Sequence, residues 1–246
     1  MQENFYVGGV HPLELVLSAG RVRRLWVKNS RETSPKLQSL LQKANQRKIP
    51  VEFVPRSILD RMYSGNHQGL VALVEPKPVL ELGEVLTLSS RQLLLALDHL
   101  MDPRNVGAVF RSAAAFRVDA VLFPVHRQSP ITPTVYKTSA GYVEFLNLIQ
   151  VANLRYSLAF LRKHGYSLVG LDNSAPAPLD SASFRFPLCL VVGGEEKGIS
   201  PVVRKELDEV YRIPMAEGVE SLNVSVATAI ALYSLSRKLP LIKRGP

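Results

Sequence analysis

Cysteine is almost missing from this chain: Cys189 is the only one in 246 residues. That excludes an intrachain disulfide and any cysteine-rich zinc site. Cys189 lies in the apolar run Pro187–Val192 and reads as buried filler rather than as a nucleophile. Histidine is also scarce, and the five residues, at 11, 67, 99, 126 and 164, show no metal-ligand spacing, so no metal is expected. No apolar run reaches the roughly 18 residues of a membrane span, so no membrane partner is expected. The opening Met-Gln-Glu-Asn lacks the basic start and apolar core of a secretory leader, and a cytoplasmic location is expected. No strand is followed by Gly-x-Gly-x-x-Gly, and no Gly-x4-Gly-Lys-Ser/Thr occurs. Both absences argue against a dinucleotide fold and a phosphate-binding P-loop.

Negative charge is in deficit as well. Thirty Lys and Arg stand against 21 Asp and Glu, a formal charge of +9. Residues 1–75 hold 11 basic and 6 acidic side chains, so the excess is densest there. A polyanionic partner follows as a hypothesis, gripped mainly by the N-terminal portion. That portion alternates short helices and strands: helix over Val10–Leu17, strand over Arg23–Lys28, helix over Ser34–Arg47, strand over Val51–Val54, helix over Ser57–Met62 and strand over Gly69–Glu75. Arg21, Arg23, Arg24, Lys28 and Arg31 gather near one strand, either as solvated surface or as a phosphate-tracking face. Trp26 in the same strand suits core packing or base stacking. Pro76-Lys-Pro78 opens a polar stretch read as a linker over 77–91.

From Gln92 strands (93–98, 119–123, 167–171, 188–192, 209–213) alternate with helices (103–116, 132–140, 152–164, 200–207, 223–237), which predicts a mainly parallel sheet covered on both faces. Three strand ends carry polar or glycine-rich loops, where open α/β sheets place their sites. In the first, the strand Leu93–Leu97 runs into Asp98-His-Leu-Met-Asp-Pro-Arg-Asn105. Asp102 there can cap a helix with Pro103 at its first position, and one large cation, Arg111, stands among small residues further along. The second is Gly193-Gly194-Glu195-Glu-Lys-Gly-Ile-Ser200, whose glycines let backbone approach a nucleoside closely. The third passes from Ile213-Pro-Met215 to Ser221-Leu222-Asn223-Val-Ser225, three polar residues opening a very apolar helix. Capping accounts for one of them easily, and less comfortably for all three.

Asn105-x5-Arg111, Gly194-Glu195-x2-Gly198-Ile199 and Ile213-Pro-Met215…Ser221-Leu-Asn-Val-Ser-Val-Ala227 together resemble the three motifs of the SpoU (TrmH) family. These are RNA 2′-O-ribose methyltransferases of the SPOUT superfamily. Gly9-Val-His11 and His67-Gln-Gly69-Leu-Val-Ala72 resemble the N-terminal RNA-binding domain of its 23S ribosomal RNA guanosine 2′-O-methyltransferase subgroup. The resemblance implies an α/β methyltransferase domain over 92–240 with a deep trefoil knot and a mainly parallel sheet. It adds a small α/β RNA substrate-binding domain over 1–76 and leaves a flexible tail over 241–246. It also implies a homodimer, S-adenosylmethionine as cofactor, and RNA, in 23S ribosomal RNA or its assembling particle, as substrate. Arg111, Asn105, Glu195 and Asn223 fall on the family's catalytic positions. Gly193, Gly194, Ile213, Met215, Ser221 and Leu222 fall on its cofactor loops. Arg23, Arg24 and Lys28, with Lys137 and Ser139 of Tyr136-Lys-Thr-Ser-Ala-Gly141, are the expected RNA contacts. His99 and Glu196 stand where the family often has glycine, and Phe145 where this subgroup commonly has histidine. Competing expectations are a transfer RNA or antibiotic-resistance ribosomal RNA ribose methyltransferase, and a non-catalytic RNA-binding protein of the same fold.

Overall fold

A computed structural model describes residues 4–30, 34–88, 92–195 and 197–239 of the chain. Arg31, Glu196 and the tail 241–246 lie outside the described residues, as does the end of the presumed linker at 89–91. The chain divides into two units, one of Met1–Pro78 with Ile131–Phe145, the other of Val79–Pro130 with Leu146–Pro246.

The elements run β1 (Phe5–Gly8), α1 (Val10–Ser18), β2 (Val22–Lys28), α2 (Pro35–Gln46), β3 (Val51–Val54), α3 (Arg56–Met62) and β4 (Leu70–Val74). Then follow β5 (Leu93–Asp98), α4 (Pro103–Ala115), β6 (Ala120–Pro124), α5 (Pro133–Thr138), β7 (Asn147–Val151) and α6 (Leu154–Lys163). The chain ends with β8 (Ser167–Leu171), β9 (Ala177–Pro178), β10 (Leu188–Gly193), α7 (Pro201–Arg204), β11 (Glu209–Arg212) and α8 (Val224–Ser236). No helix among the described residues is long and apolar enough to cross a membrane.

In the first unit the strands order β1-β4-β2-β3, antiparallel except for β2 with β3. Val7, Leu25, Val27, Ala72 and Val74 are buried, their alternation along the strands placing them on one face of the sheet. Segment 131–145 joins this unit through a buried polar knot. Arg21 donates to both carboxylate oxygens of Glu144, to the Glu75 carbonyl and to the Tyr136 hydroxyl at 2.5 Å. Burial pushes the Tyr136 hydroxyl up, and it pushes the Lys77 ammonium down although Glu144 stands 3.9 Å away. Arg21 was grouped with surface cations on sequence grounds. It is 8% exposed because Glu144, 123 residues further on, neutralises it in the interior.

In the second unit seven parallel strands order β7-β6-β5-β10-β8-β11-β9. Strand β5 is buried along its whole length, as its unbroken apolar run predicts. Leu94 and Ala96 belong to a core closed by Leu158 and Leu161 of α6 and Val203 of α7. Helices α4 and α8 pack on each other, with Phe116 edge-on to Tyr233 at 5.8 Å. Cys189 is buried in β10 and its thiol pKa is pushed up by that burial, which fits filler. The linker stretch is partly built structure: Leu82–Thr87 forms a 3-10 helix with Val85 buried, and Leu80 donates its backbone N–H to Leu148. Because β10 inserts between β5 and β8, the connections diverge at the carboxyl ends of these strands, opening a crevice.

Candidate active site

Register brings the first two loops together, since Gly193 of β10 lies opposite Asp98 of β5. Gly194 donates its N–H to the Asp98 carbonyl at 2.9 Å, and the Asp98 carboxylate accepts the N–H of Ser200 at 2.7 Å. Asp98 is wholly buried, so these bonds fasten the two loops from inside. Its other oxygen lies 2.8 Å from His99 Nδ1, at angles that do not make a hydrogen bond. A Cβ on Gly193 would stand 2.0 Å from the Gly198 carbonyl carbon, and one on Gly194 would stand 2.6 Å from the His99 oxygen. Both positions therefore require glycine.

Asp102 caps α4 as the sequence predicts, accepting from the Arg104 N–H at 2.8 Å. That places Asn105 on the first turn, where its amide Nδ2 donates to Glu195 of the second loop. Asn105 Oδ1 accepts from Asn223 Nδ2 of the third loop at 3.2 Å. Asn223 caps α8, its Oδ1 accepting from the Ser225 N–H at 2.9 Å and the Ser225 hydroxyl at 2.6 Å. The orientation of both amides is forced from the ends of this chain, because a backbone N–H can only donate and a carboxylate can only accept. Three motifs up to 118 residues apart thus share one directional chain of hydrogen bonds.

Beside it opens a cavity of about 420 Å³ bordered by Gly193, Gly194, Glu195, Ser221, Leu222 and Asn223, with Ala227 and Thr228 of α8 behind. Asp172 and Asn173, just past β8, complete the wall. Burial raises the Asp172 pKa, but hydrogen bonds from Ser174 and the Arg204 guanidinium 2.5 Å away outweigh this and hold it below the usual carboxylate range. Ile213 and Met215 are half-buried past β11 and do not border this cavity.

Arg111 stands apart from the chain of amides. Six residues along a helix separate it from Asn105 by about 240° in rotation and about 9 Å in rise. It is exposed and, among the described residues, forms no ion pair. Asn105 spends both ends of its amide on Glu195 and Asn223, and neither bond reaches Arg111.

In the first unit, Arg24 and Lys28 are exposed, whereas Arg23 pairs with Glu75. Lys137 is exposed near the end of α5. Ser139, expected among the RNA contacts, is fully buried and its hydroxyl donates to the Tyr136 carbonyl at 3.4 Å, so it faces the interior. Sequence reasoning missed Asp98 and Asp172. Each closes an apolar strand of this sheet with a carboxylate, and that signal was readable.

A parallel α/β sheet with polar loops gathered at its switch point places a ligand site there, and the class of protein follows from its relatives. Residues 92–233 match the SpoU rRNA methylase family, and residues 6–80 match the family described as RNA 2′-O ribose methyltransferase substrate binding. The chain is 38% identical over 242 residues to the 23S rRNA (guanosine-2′-O-)-methyltransferase RlmB of Acinetobacter baylyi, covering 95% of this chain and 97% of that protein. RlmB of Pseudomonas aeruginosa is 38% identical over 238 residues, 94% of this chain and 96% of its own. The crystal structure of the SpoU methyltransferase AviRb from Streptomyces viridochromogenes with AdoMet aligns at TM-score 0.80 and 26% identity, covering 96% of this chain and 90% of that one. The chain belongs to the SpoU rRNA methylase family. It is an RNA 2′-O-ribose methyltransferase that uses S-adenosylmethionine.

Proposed function

We propose that this protein methylates the ribose 2′-hydroxyl of a guanosine in 23S ribosomal RNA, acting as a homodimer. The observation that carries the reading is the Glu195–Asn105–Asn223 chain, which locks all three motif loops beside one cavity. Near-full-length similarity to the RlmB proteins supports the choice of RNA.

The cavity fits S-adenosylmethionine. Gly193 and Gly194 let the Gly198 and His99 backbone pack tightly behind the loop that borders the cavity, Leu222 and Ala227 give apolar wall, and Asp172 and Ser221 offer polar partners for a ribose or an amino acid moiety. When bound, the cofactor supplies a methyl made electrophilic by its sulfonium. The protein's part is then alignment of the attacking oxygen and stabilisation of its developing charge. Arg111 is an exposed guanidinium with no ion pair among the described residues, suited to clamp the phosphate and ribose of the target nucleotide. A guanidinium offers N–H donors and no acceptor lone pair, so its role is electrostatic. Asn105, Glu195 and Asn223 hold the loops at fixed separation.

The dimer accounts for two surfaces at once. Val226, Ile230 and Tyr233 of α8 are 47%, 41% and 56% exposed and recur on one helical face. Arg104, Ala108, Arg111 and Ala115 form the outward stripe of α4, where small residues permit a second subunit to approach Arg111. The trefoil knot implied by the family resemblance belongs to the same reading.

Purified protein incubated with labelled S-adenosylmethionine and unmodified 23S RNA is expected to label one guanosine 2′-oxygen, mapped by nuclease digestion. Label only in transfer RNA would overturn the substrate, and absence of both label and cofactor binding would overturn the enzyme.

A further inference from the structure

The first unit carries an aromatic strip that nothing in the catalytic argument uses. Opposite the buried face of its sheet, Tyr6 pairs in register with Leu73, as does Arg24, while Trp26 pairs with Val71. Helix α3 covers only part of this face, where Leu59 and Tyr63 pack on Val54 and Val71 with Met62 and Trp26 alongside. Tyr6 is left 37% exposed, 5.8 Å edge-on from Trp26. The Arg24 guanidinium lies over the Trp26 ring at 5.7 Å, and the indole N–H donates to Glu52 at 3.0 Å, which fixes the ring's orientation. Tyr6 also borders a cavity of about 500 Å³, together with Phe5, Met62, Tyr63 and Lys137.

Charge selects the occupant. Arg21 and Arg23 are neutralised by Glu144 and Glu75, but Arg24 and Lys137 form no ion pair among the described residues, and these two flank the aromatics. Cations beside an accessible aromatic ring are what a single nucleic-acid strand requires, with a π-face for a base and positive charge for phosphates.

We propose that this strip is a subsite for unpaired RNA. One base stacks on Tyr6 beside Trp26, the neighbouring base enters the cavity, and Arg24 and Lys137 meet the flanking phosphates. The proposal rests on the reading of the chain as an RNA methyltransferase, which supplies the class of polyanion.

Trp26 is the chain's single tryptophan and reports directly. Full-length protein is titrated with deca-adenylate while its tryptophan emission is followed, with inorganic polyphosphate of matching charge as control. Saturable quenching by the oligonucleotide and none by polyphosphate is expected. Tyr6→Ala should weaken binding about tenfold, the loss of one base–aromatic stack, and Tyr6→Phe should restore it. Lys137→Glu, which leaves the aromatics untouched, should weaken binding and flatten its salt dependence. In methylation assays Tyr6→Ala should raise the KM for 23S RNA with kcat and cofactor affinity unchanged. Equal quenching by polyphosphate, or an unchanged Kd and KM in Tyr6→Ala, overturns the subsite and leaves the enzyme reading intact. Quenching of Trp26 in a protein that methylates no RNA would instead overturn the enzyme reading and support the subsite.

Discussion

Replacing Asn105 with aspartate changes one NH2 group to oxygen and nothing else in size, so it tests the directional chain directly. Asn223 can still donate to the retained oxygen, but the second oxygen now faces the Glu195 carboxylate that the amide had served. Two losses follow. One hydrogen bond to a charged acceptor disappears, worth about 1.5–3 kcal/mol where it is sheltered. A carboxylate pair at about 4 Å adds repulsion of about 1 kcal/mol in water and about 4 kcal/mol at a protein surface. Glu195 is exposed, which places both terms toward their lower ends. The combined expectation is a loss of about 2–4 kcal/mol from the assembled loops, or about 30- to 1,000-fold in kcat/KM. The repulsion also carries a pH signature. Protonating one of the pair restores a donor between the two oxygens, so the variant should recover part of its deficit as pH falls toward the carboxylate range, relative to wild type at each pH. Steady-state methylation of 23S RNA from pH 5 to 8.5, with cofactor affinity measured by calorimetry, provides the assay. A variant within twofold of wild type across that range would refute the chain as a functional device.

The remaining predictions concern the other parts of the site. Gly193→Ala forces a methyl to 2.0 Å from backbone at Gly198, which no rotamer change can relieve, so calorimetry should find cofactor binding weakened at least tenfold in a protein that still folds by circular dichroism. Arg111→Ala should nearly abolish single-turnover methyl transfer while cofactor affinity stays within a few-fold, because the guanidinium lies off the cavity wall; equal turnover would remove it from the mechanism. Ile230→Asp puts a charge in the exposed α8 stripe, and sedimentation should show a monomer with lost activity; an unchanged dimer would place the interface elsewhere.

Much of the second unit was legible because its central strands β5, β6 and β10 are largely apolar runs and helices such as α4 and α8 have their caps written beside them, at Asp102 and Asn223. Edge elements were not. Phe5–Gly8 is four residues with no preceding turn signal, and Asn147–Val151 follows the 3-10 turn at Tyr142–Phe145 without a glycine or proline to mark its start. Their pairing partners, β4 and β6, define them, and a partner is a tertiary fact. The same distinction governs the site. Glycines at 193 and 194 announce a close approach, but not that the approaching atoms belong to Gly198 and His99. Single polar residues at helix starts announce caps, yet Asn105 on the first turn of α4 and Asn223 at the cap of α8 acquire their joint role only because the packing of α4 on α8 brings the two N-termini side by side. Arg21 shows the converse error, a cation counted as surface until a glutamate distant in sequence is found to bury it. Charge patterning in a sequence therefore overcounts the available cations of such a domain. The ones free to meet RNA are those the fold leaves without a carboxylate, and in the first unit Arg24 and Lys137 meet that test among the described residues, Arg24 over Trp26 and Lys137 on the cavity bordered by Tyr6.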